Sequence, residues 1–198
     1  MPRHAPIGPA AVLIPVKSFV RAKRRLSPTL HPDERAQLAR RMATRVLAAA
    51  QPLPVTVACD DDEVADWARA AGAEVLWRPG RGLNGAVADG VEHLGRGGAQ
   101  RVVVAHADLP LATGLAAVAA FDGVTLVPDR RDDGTNVLCV PPGAGFRFAY
   151  GPRSFARHRN ESERLGLPYR VLRDLRLEWD VDVPDDLLWP RDLETTCG

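Results

Sequence analysis

The order of apolar and amphipathic segments predicts an α/β fold: one domain with a mostly parallel, mixed sheet and helices on both faces. Two observations predict it. Strand-length apolar runs and helix-length amphipathic stretches take turns along the chain, which implies parallel strands joined by right-handed crossovers. No Gly/Ser linker, repeat or low-complexity stretch interrupts the 198 residues, so the chain reads as a single domain with its core over 10–190.

The elements follow in order. "AAVLIPV" (10–16) is a wholly apolar run of buried-strand length. "PDERAQLARRMATRVLAAA" (32–50) is a helix, with Leu38, Met42, Val46 and Leu47 at helical spacing and acids in the first turn. "PVTVAC" (54–59) is a strand, and "DDEVADWARAAG" (61–72) a helix that opens on acids and has Gly72 past its end. "AEVLW" (73–77) and "NGAVADGVEHLG" (84–95) repeat the strand–helix pair. "RVVVAHAD" (101–108) is the most strand-like run in the chain. A helix near 114–121 leads to the strands "GVTLVPD" (123–129) and "TNVLCVP" (135–141). There follow a helix around "SFARHRNESERLG" (154–166), a strand within "YRVLRDLRLEWDVD" (169–182) and a last helix from "PDDLLWPRDL" (184–193). Asp185 and Asp186 read as acids in the first turn of that helix. Whether 135–141 or the C-terminal segment runs antiparallel is left open by the pattern.

Composition narrows the function. A formal net charge of +1 argues against a general nucleic-acid or membrane-surface binder, which would carry a basic excess. No apolar run approaches the roughly 20 residues that span a bilayer, and "MPRHAPIGPA" has no signal-peptide pattern. Cys59, Cys139 and Cys197 are scattered, which suits thiols in a reducing cytoplasm. Apolar helix faces would allow a homodimer.

Open α/β sheets bind ligands beyond the carboxyl ends of their strands, so functional groups are expected just after strands. Lys17 follows the first strand, Asp108 closes "RVVVAHAD", Asp129 closes "GVTLVPD", and Asp180 and Asp182 close the last strand in "WDVD". Carboxylates converging there would repel one another unless a cation sat between them. Oxygen ligands favour Mg²⁺ or a similar hard ion. Asp is also common after strands as a turn former or helix cap, and that reading stands for any one of them. The lysines sharpen the picture. Of 26 lysines and arginines only Lys17 and Lys23 are lysine, and with Arg21, Arg24 and Arg25 they form a cationic segment with no P-loop pattern. A compact ammonium suits phosphate oxygens that move in a reaction, whereas a merely solvated cation would here be expected to be arginine.

"IPVKSFVRAKRRL", "LNGAV", "HADLPL", "DGTNVL", "YGPRSFARH" and "DVDVPDDL" occur in one order. In that order and spacing the chain, over 10–188, resembles the 2-phospholactate or phosphoenolpyruvate guanylyltransferases of deazaflavin-coenzyme (F420) biosynthesis. The resemblance implies a nucleotidyltransferase version of the Rossmann-like, glycosyltransferase-A-like fold. It implies that GTP and Mg²⁺ are used to place GMP on a three-carbon phosphoacid, releasing pyrophosphate. It further implies Asp108 and Asp180 as metal-binding catalytic residues, with Asp182 in the metal site behind them. Thr135, Gly151 and Ser154 match phosphoacid-binding positions. Lys17 and Lys23, with Arg25, match the basic loop near the nucleotide phosphates, and Asn84 a position near base or ribose. Asn84 equally suits a helix N-cap. His106 reads as a packed strand residue, and Arg153 and His158 could assist through charge. The helix start near Ser154 would offer backbone N–H groups to an anion.

The implied mechanism is in-line attack by the acceptor phosphate on the α-phosphorus of GTP. That nucleophile is already anionic, so no general base is needed. Two other readings stand beside it. One is a nucleotidyltransferase for 3-phosphoglycerate, a sugar phosphate or molybdopterin, although the glycine-rich "GGxSxRMG" loop usual for the last two kinds is absent. The other is a nucleotide-binding regulator without turnover, against which the acidic strand ends argue.

Overall fold

The computed structural model describes residues 9–190. Its strands are β1 (Ala10–Pro15), β2 (Val55–Cys59), β3 (Glu74–Trp77), β4 (Arg101–Ala105), β5 (Val124–Pro128), β6 (Thr135–Val140) and β7 (Tyr169–Val171). Its helices are α1 (Pro32–Ala49), α2 (Asp62–Ala70), α3 (Gly82–Arg96), α4 (Ser154–Arg164) and the short α5 (Leu175–Glu178). One sheet holds all seven strands in the order β3-β2-β1-β4-β6-β5-β7. β6 is antiparallel to both its neighbours, and every other pairing is parallel.

The alternation of each strand builds two apolar layers. Val12 and Ile14 of β1 pack with Val103 and Ala105 of β4 beneath α1 and α2. Leu13, Val102 and Val104 face the other way and pack with Val87 and Val91 of α3. Because both faces are covered, the central strands carry continuous apolar runs. α3 lies so close to β1 that a Cβ on Gly90 would stand 2.5 Å from a Leu13 methyl carbon. A third cluster, Leu26, Leu38, Met42 and Val181, holds the C-terminal segment against α1 and the basic loop.

The lone antiparallel strand has a geometric consequence. Pro128 pairs with Thr135, so the start of β6 lies at the edge where the other strands end. Thr135 therefore reaches the edge formed by the carboxyl ends of the other strands from the opposite chain direction.

Three expectations change. β7 stops at Val171, and Asp174 then caps α5 by accepting from Arg176 N–H at 3.0 Å. Asp180 and Asp182 consequently lie in an extended segment outside the sheet and close no strand. The helix near 114–121 is a 3₁₀ segment, Leu115–Ala120. The expected last helix is a 3₁₀ turn, Pro184–Leu187; its continuation beyond 190, like Cys197, lies outside the described residues.

Candidate active site

The turn after β4 and the C-terminal segment meet at a backbone hydrogen bond from Val181 N–H to Asp108 O, 3.2 Å. That bond places Asp180 and Asp182, the two neighbours of Val181, on either side of Asp108's peptide. Asn136 reinforces the join. Its O accepts from His106 N–H at 3.0 Å, and its Nδ2 donates to Leu177 O and Glu178 O at 3.1 and 3.0 Å. Asn136 is buried, and nothing local in the sequence marked it out.

The basic loop delivers Lys23 into this junction from a left-handed backbone, φ 52°, a conformation that disfavours side chains by about 1 kcal/mol or more. Its Nζ stands 2.6 Å from Asp108 Oδ2 and 3.1 Å from Asp182 Oδ1. Arg25 pairs with the other Asp182 oxygen at 3.7 Å. The cation expected between the carboxylates is thus partly the protein's own. Burial opposes the charge on Lys23, but Asp108 and Asp182 outweigh it and raise the pKa. Burial likewise pushes Asp108 up, and Lys23 and His106 outweigh it to hold the carboxyl below its ordinary range.

Among the described residues Asp180 has no cation in ion-pair distance. Burial, then the charges of Asp108 and Asp182, push it up to about 6. Among the described residues, Asp108 Oδ1 and Asp180 Oδ1 are both buried and accept no hydrogen bond. Two orphaned carboxylate oxygens in a negative environment are what a hard divalent ion would satisfy. Among the described residues no three His, Cys, Asp or Glu side chains are arranged to hold an ion. Any ion here would take further oxygens from substrate or water. Asp182, occupied by Lys23 and Arg25, stands behind this pair.

Lys17 is exposed and lines two adjoining cavities. One, about 330 Å³, also reaches Ser18, Lys23, His106 and Asp108. The other, about 600 Å³, lies beyond β2 and β3 against Asp60, Arg78, Gly80 and Leu83. Lys17 is therefore placed to meet a ligand spanning both, whereas Lys23 is half-buried and paired with the carboxylates.

Thr135, Gly151 and Ser154 come together around α4. His158, four residues after Ser154 on the same helix, puts Nδ1 3.0 Å from Thr135 Oγ1. Its Nε2 accepts from Ala149 N–H at 3.0 Å. The proton is thereby fixed on Nδ1, which donates to the threonine. Gly151 sits at φ 117°, a left-handed position suited to glycine. The helix start is not an open anion nest, contrary to expectation. Ser154 N–H bonds Gly151 O, Phe155 N–H bonds Asp133 O, and Arg153 N–H bonds Asp133 Oδ1.

His158 supplies no charge, which corrects the other expectation. It is fully buried, and burial, aided by His106 and Arg157, lowers its pKa to about 4. His106 is likewise lowered by burial and packs 5.0 Å from the Tyr150 ring, although it lies one residue past the end of β4 and not within the strand. Between pH 6.5 and about 4 the unfolded chain protonates at position 158 and the folded chain does not. Stability should fall on acidification through that window by about 3 kcal/mol from this group. Asp180 works in the opposite sense, so the readout is a difference. Urea melts at pH 7 and 4.5 should show less acid loss in His158→Gln than in wild type.

Asn84 is the third residue of α3, after the N-cap Arg81, so the cap reading fails. Its Oδ1 accepts from Tyr150 N–H at 2.7 Å, and its Nδ2 donates to Tyr150 O at 3.4 Å. It ties α3 to the loop that holds Gly151. Asp129 is similarly occupied within the protein. It accepts from Arg131, Asp133 and Gly134 N–H at 2.9, 3.0 and 2.8 Å, shaping the β5–β6 turn.

Asp186 lies in the first turn of the 3₁₀ segment Pro184–Leu187, as read, and is a hub besides. Its side chain is 1% exposed; Oδ1 takes Arg130 and Arg131 at 2.6 and 2.8 Å, while Oδ2 takes Asp182 and Val183 N–H at 2.8 and 2.9 Å.

Among the described residues no helix is long and apolar enough to cross a membrane. The chain is 38% identical over 184 residues to a phosphoenolpyruvate guanylyltransferase of Sphaerobacter thermophilus, covering 88% of this chain and 89% of that one. It is 33% identical to a 2-phospho-L-lactate guanylyltransferase of Methanothermobacter thermautotrophicus, covering 88% and 81%. A solved nucleotidyl transferase from Methanothermobacter superposes with a TM-score of 0.62 at 14% identity, covering 91% and 94%, a likeness of fold alone. The sequence model for "Guanylyl transferase CofC like" proteins matches residues 10–189, and the chain belongs to that family.

Proposed function

We propose that this protein transfers GMP from GTP to a three-carbon phosphoacid, phosphoenolpyruvate or 2-phospho-L-lactate, in coenzyme F420 biosynthesis. The observation that carries this is the pair of buried, unpartnered oxygens on Asp108 and Asp180, beside a cavity lined by Lys17. An oxygen of the acceptor phosphate attacks the α-phosphorus of GTP, the α–β bridging bond breaks, and its electrons leave with pyrophosphate. The nucleophile is already anionic, so no residue is assigned as base.

Asp108 and Asp180 would hold a divalent cation, Mg²⁺ by its preference for oxygen donors, which supplies charge neutralisation on the phosphates. Lys17 meets the triphosphate directly. Lys23 keeps Asp108 ionised and fixes Asp182, with Arg25 completing that pair. Thr135, Gly151 and Ser154 form the acceptor side, where His158 holds the Thr135 hydroxyl and leaves its proton free to donate. Asn84 keeps the Gly151 loop against α3. The reaction belongs in the cytoplasm, where its thiols Cys59 and Cys139 would stay reduced.

The test is pyrophosphate release with GTP and Mg²⁺, given phosphoenolpyruvate, 2-phospho-L-lactate and 3-phosphoglycerate separately, with ATP and CTP as controls. Release with GTP and one of the first two acids is expected. Release only with 3-phosphoglycerate, or with none, would overturn the acceptor assignment.

A further inference from the structure

Asp60 follows β2 directly and heads the run Asp60–Asp61–Asp62. The other two have structural work: Asp61 caps α2 by accepting from Val64 N–H at 3.3 Å, and Asp62 opens the helix. Asp60 has neither task. It is partly buried, and among the described residues its carboxylate makes no hydrogen bond or ion pair. It faces the cavity of about 600 Å³ beyond β2 and β3.

The rest of that cavity fits a flat heterocycle. Pro15, Val16, Leu83 and Ala86 supply apolar walls, and Gly80 and Gly82 leave room for close backbone approach. The other charged group facing Asp60's cavity from the β3 side, Arg78, is engaged: one guanidinium nitrogen donates to Trp77 O at 2.8 Å, and Nε lies 3.4 Å from Asp89. Lys17 is shared with the neighbouring cavity of Lys23 and Asp108. β1 lies between β2 and β4, so Asp60 and Asp108 follow strands two spacings apart, about 10 Å. A nucleoside triphosphate lying across Lys17 would put its base beside Asp60 and its phosphates towards Asp108.

We propose that Asp60 is the residue that selects guanine, accepting hydrogen bonds from N1–H and the 2-amino group. This rests on the nucleotidyl-transfer reading above. A carboxylate is acceptor-only. Guanine presents two adjacent donors on that edge, whereas adenine and cytosine present a ring nitrogen lone pair, which Asp60 would repel. Inosine keeps N1–H and loses the 2-amino group. Xanthine keeps N1–H and replaces the amino group by a carbonyl.

The experiment is Asp60→Asn, measured by equilibrium binding of GTP, ITP and XTP in a calorimeter, with pyrophosphate release in parallel. Wild type should prefer GTP to ITP by about 10-fold and to XTP by about 100-fold. In the variant, the amide oxygen can still accept N1–H while the amide NH₂ meets the xanthine carbonyl. GTP binding should weaken about 100-fold and XTP should become the preferred ligand. Equal wild-type affinity for GTP and ITP, or an unchanged GTP-over-XTP preference in Asp60→Asn, would overturn the assignment. Absence of turnover with every acid would overturn the transfer reading instead, and the binding preferences would still decide the role of Asp60.

Discussion

Asp180→Asn should lower turnover by about 10³-fold or more, yet melt at a higher temperature than wild type when both are free of divalent ions. The two effects have one cause. Asp180 is pushed up to about 6 because it is partly buried beside Asp108 and Asp182 with no cation of its own. A carboxyl with a raised folded-state pKa binds its proton more readily folded than unfolded. Stability therefore falls as pH rises from about 4 to 6 and stays lower at neutral pH. Discounted for partial exposure, the strain is on the order of 1 kcal/mol. The amide relieves it. Asp108→Asn should lose turnover as fully and move stability the other way, because it removes the partner that Lys23 meets at 2.6 Å. Lys23 would then keep only Asp182, at 3.1 Å. The measurement is scanning calorimetry at pH 7 with a chelator, set beside pyrophosphate release at saturating Mg²⁺. Normal turnover in either variant removes that aspartate from the mechanism. A lower melting temperature for Asp180→Asn would mean that its carboxylate carries no strain to relieve.

The strands β1, β2 and β4 were legible because burial on both sheet faces demands apolar runs, and Asp108 stood out because it follows the end of such a run. Two parts were not. Trp179, Val181 and Val183 alternate with Asp180 and Asp182 in the sequence, and alternation at period two reads as a strand. Alternation reports only an extended chain with one buried side. Here Val181 packs into the cluster of Leu26, Leu38 and Met42, and among the described residues it has no sheet neighbour. The roles of Asn84, Asn136 and Asp186 were illegible for another reason. Each holds groups from 41 to 66 residues away, and no local spacing encodes such a partner. The lysines are a mixed case: both line the cavity of about 330 Å³, but the half-buried Lys23 is paired with Asp108 and Asp182.

Asp186→Ala should cost about 3 kcal/mol of stability, because it removes the buried acceptor of four hydrogen bonds and leaves the Asp182 and Val183 N–H groups unpaired. It should also cost activity in the molecules that remain folded. The Asp186 carboxylate joins the β5–β6 turn, through Arg130 and Arg131, to the peptides of Asp182 and Val183. Arg130 further covers the Trp179 ring at 3.6 Å, and Trp179 Nε1–H donates to Asp186 O at 3.0 Å. Burial works to raise the Asp186 pKa, but the Val183 N–H and Arg131 outweigh it and keep the group ionised. Without that anchor the segment carrying Asp180 can shift while Asp108 stays in the turn after β4. A displacement of about 1 Å between paired catalytic groups can cost about 100-fold in rate. Turnover measured well below the melting temperature separates the two roles. A purely structural Asp186 would leave kcat per folded molecule unchanged, and a positioning Asp186 would lower kcat and raise the Mg²⁺ concentration needed for half-maximal rate. Asp186→Asn keeps an acceptor for the two backbone N–H groups while losing the charge, so it should recover part of kcat and part of the stability. If both variants recover kcat fully once folded, the arginine hub holds the protein together without setting the geometry of Asp180.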